Sequence, residues 1–124
     1  MVTHELAHAL GFFHAQSRHD RDKYVTFNQQ NVQSGFEDQF GKESPDTNHN
    51  FDIAYDYGSV MHYSEVAFAQ EENKPVLLAT EPHNQNTMGQ RIRPSFSDVR
   101  VMNSYYGCAE KCPAAGSVEC LHGG

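Results

Sequence analysis

Residues 4–14 read HELAHALGFFH, His4 through His14, and the spacing of three histidines, one glutamate and one glycine in this stretch decides what the chain around it must build. Residues 1–10 have helical character, with Gly11 just past the last periodic position as the stop. Four residues advance a helix by about 400°, so His4 and His8 stand one turn apart on one face and can both reach a single ion at roughly 2 Å. On an unbroken helix His14 would lie about 15 Å farther along the axis than His4 and point elsewhere. A sharp turn at Gly11, where positive φ carries no steric penalty, lets the chain fold back and present His14 to the same point.

Glu5 follows the first candidate ligand by about 100° of helix, beside the ion and not aimed at it, which suits a general base better than a ligand. Three neutral imidazoles leave a tetrahedral ion one open position, and all-nitrogen ligation selects Zn²⁺ over Ca²⁺ or Mg²⁺. A surface helix that merely contains histidines is the alternative. At ordinary residue frequencies these five residues at these offsets arise by chance in about one window in ten million, which sets it aside. The reading is a zinc-dependent hydrolytic centre with one Zn²⁺ per chain, metal ligands His4, His8 and His14, and Glu5 as base.

The rest of the chain bounds this reading. Its 124 residues, 38% of them hydrophobic, suffice for one domain with a modest core. Nine Lys and Arg stand against 16 Asp and Glu, a net charge of −7, so no basic stripe is available for a nucleic-acid partner. No apolar run approaches the roughly 20 residues of a membrane span. Residues 24–27, YVTF, are expected to be extended, and Val32, Phe36 and Phe40 recur every four residues as on a packing helix. Residues 66–69 and 75–80 are expected to pair around the turn EENK. Ser95 and Asp98 form a capping-box pattern ahead of Val99, Met102 and Tyr106, with Gly107 as the stop. Cys108, Cys112 and Cys120 cluster after more than a hundred residues without cysteine, an odd count that fits an oxidising compartment with a partner elsewhere.

The longer string HELAHALGFFHAQSRHDRDKYVTF resembles the signature of the astacin family of metzincin zinc endopeptidases, matched by Arg18, Asp20, Arg21, Asp22, Tyr24 and Val25 after the histidines. YDYGSVMHY is similar to that family's Met-turn, and GQRIRPSFSDVRVMNSYYGC to its closing helix. The resemblance covers residues 1 to about 108. It implies an α+β fold, the C-terminal half of a metzincin (zincin-like) catalytic domain: an active-site helix, a mostly irregular lower subdomain and a closing helix. It also implies that Met61 is an apolar base for the site, that Tyr63 is a movable extra ligand which stabilises the oxyanion, and that Cys108 is stapled to the first half of the domain. Arg91 and Arg93 stand where relatives often place a basic side chain in the pocket for the residue after the cleaved bond, implying a preference for Asp or Glu there. Residues 109–124 resemble the opening cysteines of an EGF-like module.

In this family the third ligand is usually followed by Glu, which helps hold the new N-terminus after propeptide removal; this chain has Ala15. Met1 runs straight into the helical pattern with no signal peptide and no room for a first strand, so the chain is expected to be a piece of something larger that lacks the family's first half, with its sheet and substrate-aligning edge strand. The expected protein is secreted, with protein or peptide substrates. The rival is a noncatalytic one, either an inert zinc-binding fragment or an interaction protein; an inactive relative would be expected to lose Glu5 first, and Glu5 is present. His19, His49, His83 and His122, with Glu71 and Glu72, are expected to be solvated, and His62 to hydrogen-bond structurally.

Overall fold

The computed structural model describes residues 2–111. Helix α1, Val2–Ala9, carries the motif. It ends where Gly11 takes φ +93°: Gly11 N–H donates to His8 O at 3.0 Å and Phe12 N–H to Ala7 O at 3.0 Å. This pair of bonds is a Schellman closure, and it satisfies two carbonyls that the helix end would otherwise leave bare.

Strands β1, Val25–Phe27, and β2, Leu77–Ala79, form a two-stranded antiparallel sheet with Val25 opposite Ala79 and Phe27 opposite Leu77. Alternation sends Val25 and Leu77 into the core while Thr26 and Leu78 face solvent. Val32, Phe40, Tyr55, Tyr57, Val76 and Met88 complete that core. Burial of side chains this size is worth roughly 1.5–3 kcal/mol each, which holds an otherwise irregular chain in one arrangement. Helix α2, Phe96–Tyr105, starts with the expected capping box between Ser95 and Asp98 and is followed by a 3-10 turn, Cys108–Lys111. Two helices, one small sheet and long irregular connections make the α+β architecture that the sequence implies. None of these helices is long and apolar enough to cross a membrane.

Two expectations fail. Residues 28–40 are not one helix but two single turns of 3-10 helix, Gln29–Asn31 and Glu37–Phe40, separated by Gly35 at φ +91°. A left-handed residue interrupts the helical ladder, and the apolar residues part company: Val32 is buried and bridges Ala69, Phe40 is buried, and Phe36 is left 37% exposed. Segments 66–69 and 75–80 do not pair with each other either. Ala69 bridges Val32, β2 pairs with β1, and the N–H groups of Val76 and Leu77 both donate to Glu65 O. Each arm of the expected hairpin has a partner earlier in the chain that is buried, Val32 for Ala69 and Val25 for Ala79, so the tertiary pairing joins the core.

Candidate metal centre

Two hydrogen bonds fix how α1 presents its histidines. His4 Nδ1 lies 2.8 Å from Val60 O and His8 Nδ1 lies 2.8 Å from Phe12 O. A carbonyl oxygen can only accept, so both Nδ1 atoms carry hydrogen and both Nε2 atoms are bare lone pairs. His14, brought round by the Gly11 turn, places its own Nε2 3.3 Å from that of His4 and 3.1 Å from that of His8. One proton on His14 can serve only one of these contacts, which leaves lone pair facing lone pair unless a cation lies between them. Tetrahedral nitrogens about 2.05 Å from a Zn²⁺ would stand about 3.4 Å apart; the two separations from His14 match this, and all three ligand atoms lie within 4.8 Å of one another, so the donor set suits that ion. Burial first, then the neighbouring His8 and His4, lower the His14 pKa to about 4, which keeps it neutral and able to ligate.

The segment after the third histidine is pinned from below. Ala15 N–H donates to Met61 O at 3.1 Å, and Tyr63 N–H donates to Gln16 Oε1 at 3.0 Å, so residues 14–16 run alongside residues 61–63. Gln16 is fully buried, and Arg21, also buried, donates to the carbonyls of Gln16 and Phe40. Arg18 grips Asp20 with Nε and Nη2 at 2.9 and 2.8 Å and reaches Ile53 O. The arginines of the signature segment thus hold the turn that carries His14.

Tyr63 lies half-buried with its ring centroid 4.4 Å from that of His14. Its hydroxyl has no hydrogen-bond partner among the described residues, and burial raises its pKa against the opposing pull of Arg91, so it stays a donor at neutral pH. Met61 is 1% exposed. Glu5 is exposed on α1. Arg91 donates from Nη1 to His62 O at 2.9 Å and contributes to the field at both His14 and Tyr63, whereas Arg93 meets neither. The structure therefore brings together His4, His8, His14 and Tyr63, and anchors Arg91 to the carbonyl of His62, the residue before Tyr63. Ala15 lines a largely apolar cavity of about 210 Å³ with Phe12, Phe13, Ile53, Met61 and Val101, so no carboxylate enters it from position 15.

His62, wholly buried, donates from Nδ1 to Tyr63 O and lies 2.7 Å from the Tyr55 hydroxyl, the structural role expected of it. His49 and His83 are exposed, while His19 departs from expectation by sitting half-buried against Asn48 Oδ1. His122, Cys112 and Cys120 lie outside the described residues. Sequence reasoning missed the contacts of Gln16, Ser59 and Val60, which join residues far apart in the chain: Gln16 with Tyr63, Ser59 and Val60 N–H with Asp98, and Val60 O with His4; Asp98 carried a signal only as a helix cap.

Three convergent imidazoles, two from one helix and one from beyond its glycine turn, with a tyrosine ring against the third, form a candidate metal centre of the kind zinc proteases use. Comparison with known proteins gives it a lineage: the family model described as Astacin, a peptidase family, matches residues 1–107, and the chain belongs to the astacin family. It is 46% identical over 123 residues to the zinc metalloproteinase nas-31 of Caenorhabditis elegans, covering 99% of this chain and 20% of that protein. Against zinc metalloproteinase dpy-31 of Brugia malayi it is 45% identical over 124 residues, again 20% of the relative. Among solved structures, the high choriolytic enzyme 1 of Oryzias latipes, a hatching enzyme zinc-protease, superposes with TM-score 0.80 at 36% identity, covering 86% of this chain and 52% of that one. The chain thus corresponds to about half of a solved astacin-type protease and a fifth of the curated relatives' length.

Proposed function

We propose that this chain provides the zinc-binding half of a secreted metalloendopeptidase that hydrolyses peptide bonds in proteins. The observation that carries the reading is the convergence of three Nε2 atoms, two of them stripped of hydrogen by bonds on the far side of their rings. His4, His8 and His14 would hold one Zn²⁺ per chain, which when bound supplies a Lewis acid that acidifies water and polarises a carbonyl. Glu5 takes the proton from the attacking water and later delivers it to the leaving amine. The Tyr63 hydroxyl, protonated and without another partner, donates to the oxyanion that develops on the peptide carbonyl. Gly11 sets the turn that presents His14, and Met61 fills the apolar space under the site. Residues 1–108 act as the partial peptidase domain, with residues 109–124 as the start of a cysteine-containing tail. The extracellular location rests on family resemblance and on the clustered cysteines.

Arg91 is the better placed of the two arginines to select an acidic residue after the cleaved bond, since its Nη1 donates to His62 O, one residue before Tyr63, and to Gln90 O. The test of the central reading is metal analysis and hydrolysis of an unstructured protein by the full-length protein with His4, His8 or His14 changed to Ala. Each variant should lose zinc and activity together. Full activity in any of them would remove that residue from the site.

A further inference from the structure

We infer that Asp98, at the start of α2, acts through Ser59 and one peptide group as a remote positioning carboxylate for the first candidate ligand, His4. The inference rests on the proposed metal-site reading and extends it. Four polar groups form an unbroken line. Ser59 Oγ donates to Asp98 Oδ1 at 2.5 Å and accepts the Met61 N–H at 3.0 Å. That N–H belongs to the same peptide plane as Val60 C=O, which accepts the Nδ1–H of His4 at 2.8 Å. Every hydrogen therefore points the same way, from the imidazole toward the carboxylate.

Direction matters because bonds in such a chain polarise one another, and burial keeps water from screening them. Ser59 is 4% exposed, Val60 3%, Met61 1% and His4 8%. A carboxylate at one end draws the hydroxyl proton, the hydroxyl oxygen becomes the better acceptor for Met61 N–H, and the Val60 carbonyl the better acceptor for His4. The bare Nε2 on the other side of the ring becomes the better electron-pair donor to a metal, as it does when a ligating histidine meets a carboxylate directly. Asp98 also accepts Val60 N–H at 2.9 Å with Oδ2, so the residue whose carbonyl orients His4 is clamped on both sides. His8, by contrast, leans on the Phe12 carbonyl in the glycine turn, with no carboxylate behind it in the described chain. The same Oδ2 completes the helix cap with Ser95 N–H at 2.8 Å, so α2 and the metal site share one side chain.

The variants Ser59→Ala and Asp98→Asn, made in the full-length protein, test this. The first breaks the line while sparing the cap; the second removes the charge and keeps an acceptor for Val60 and Ser95. Zinc affinity by chelator competition should fall about tenfold in each, the range seen for outer-shell partners, and the absorption of the Co²⁺-substituted protein should shift. The double variant should lose no more than either single one, because one relay is being cut twice. Ser95→Ala, which weakens the cap alone, should lower the melting temperature and leave zinc affinity within about twofold. Unchanged affinity in both relay variants, losses that multiply in the double, or an equal loss in Ser95→Ala would overturn the relay. His4→Ala serves as the reference: if it still binds zinc as the unaltered protein does, the metal-site reading itself fails, whatever the relay variants show.

Discussion

Glu5 and Tyr63 stand differently toward the three histidines, and the difference separates their expected defects. Glu5 ligates nothing in the proposed site, so in the full-length protein Glu5→Gln should keep its zinc and lose most activity, by 10²-fold or more on the order expected for a general base. Near-normal turnover with zinc retained would rule out the base role. Tyr63→Phe removes a hydroxyl that has no partner among the described residues, so kcat should fall more than KM rises; a change confined to KM would count against it. His62 offers a pH test of folding. Burial lowers its pKa from 6.5 to about 4, and burial together with His8 and His4 does the same for His14. Between those values the unfolded chain binds protons that the folded chain refuses. Stability of the zinc-free protein should therefore drop as pH falls from about 6.5 to about 4, by at most about 1.4 kcal/mol per pH unit for each histidine. Urea midpoints should follow this slope, and His62→Gln should flatten it by about half; an unchanged slope would show that His62 takes up its proton as readily in the fold as outside it.

Elements in this chain divide by how local their causes are, and so does their legibility. Both α1 and α2 were readable because their signals sit within a few residues: the i, i+4 histidines with Gly11, and Ser95 with Asp98. The extended 24–27 segment was readable, but its partner was not, since β2 lies some fifty residues on and nothing in either segment specifies the other. Val32, Phe36 and Phe40 misled because their spacing suits a helix, while Gly35 between them takes a left-handed conformation and tertiary pairing claims Val32. The convergence of His4, His8 and His14 was legible for the same reason as the helices, and the hydrogen bonds around them were not, because Val60, Ser59 and Gln16 make theirs over long sequence separations. Two glycines make the distinction measurable. At Gly11 a Cβ would meet nothing within 4 Å, so Gly11→Ala should cost only the strain of φ +93°, about 1–2 kcal/mol, while loosening His14 and weakening zinc binding. At Gly89 the same atom would lie 2.5 Å from Ser64 Cβ and 2.6 Å from its Cα at φ +84°, so Gly89→Ala should lower the melting temperature more and yet spare zinc affinity in whatever protein still folds. Equal effects on zinc from the two would deny that the Gly11 turn positions a ligand.

On the scale of the whole molecule, the site and the surface that feeds it separate. The three imidazoles are gathered by one helix, one turn and the carbonyls of Val60 and Phe12, all inside residues 2–111. A peptide substrate, however, needs an extended edge to lie against, and the one sheet among the described residues is two short strands whose pairing is with each other. On α1 and the turn that follows it, Val2, Leu6 and Leu10 stand 75%, 57% and 44% exposed at four-residue spacing, with Phe13 beyond them at 47%. An apolar stripe of this kind is left by a face with no packing partner among the described residues, and the solved relative, at 52% coverage, has as much chain again to place. Zinc binding and catalysis should therefore come apart in the 124-residue chain. It should hold about one zinc at neutral pH, more weakly than the full-length protein because its helix is braced on one side only, and release it below about pH 6 as protons compete for the imidazoles. Hydrolysis of an unstructured protein substrate should be very low, since the substrate is not aligned. Metal analysis after dialysis, set beside that hydrolysis assay, distinguishes the outcomes. Robust cleavage by this chain alone would mean that the described elements align a substrate unaided, and loss of all zinc at neutral pH would mean that ligand geometry depends on packing against the exposed stripe.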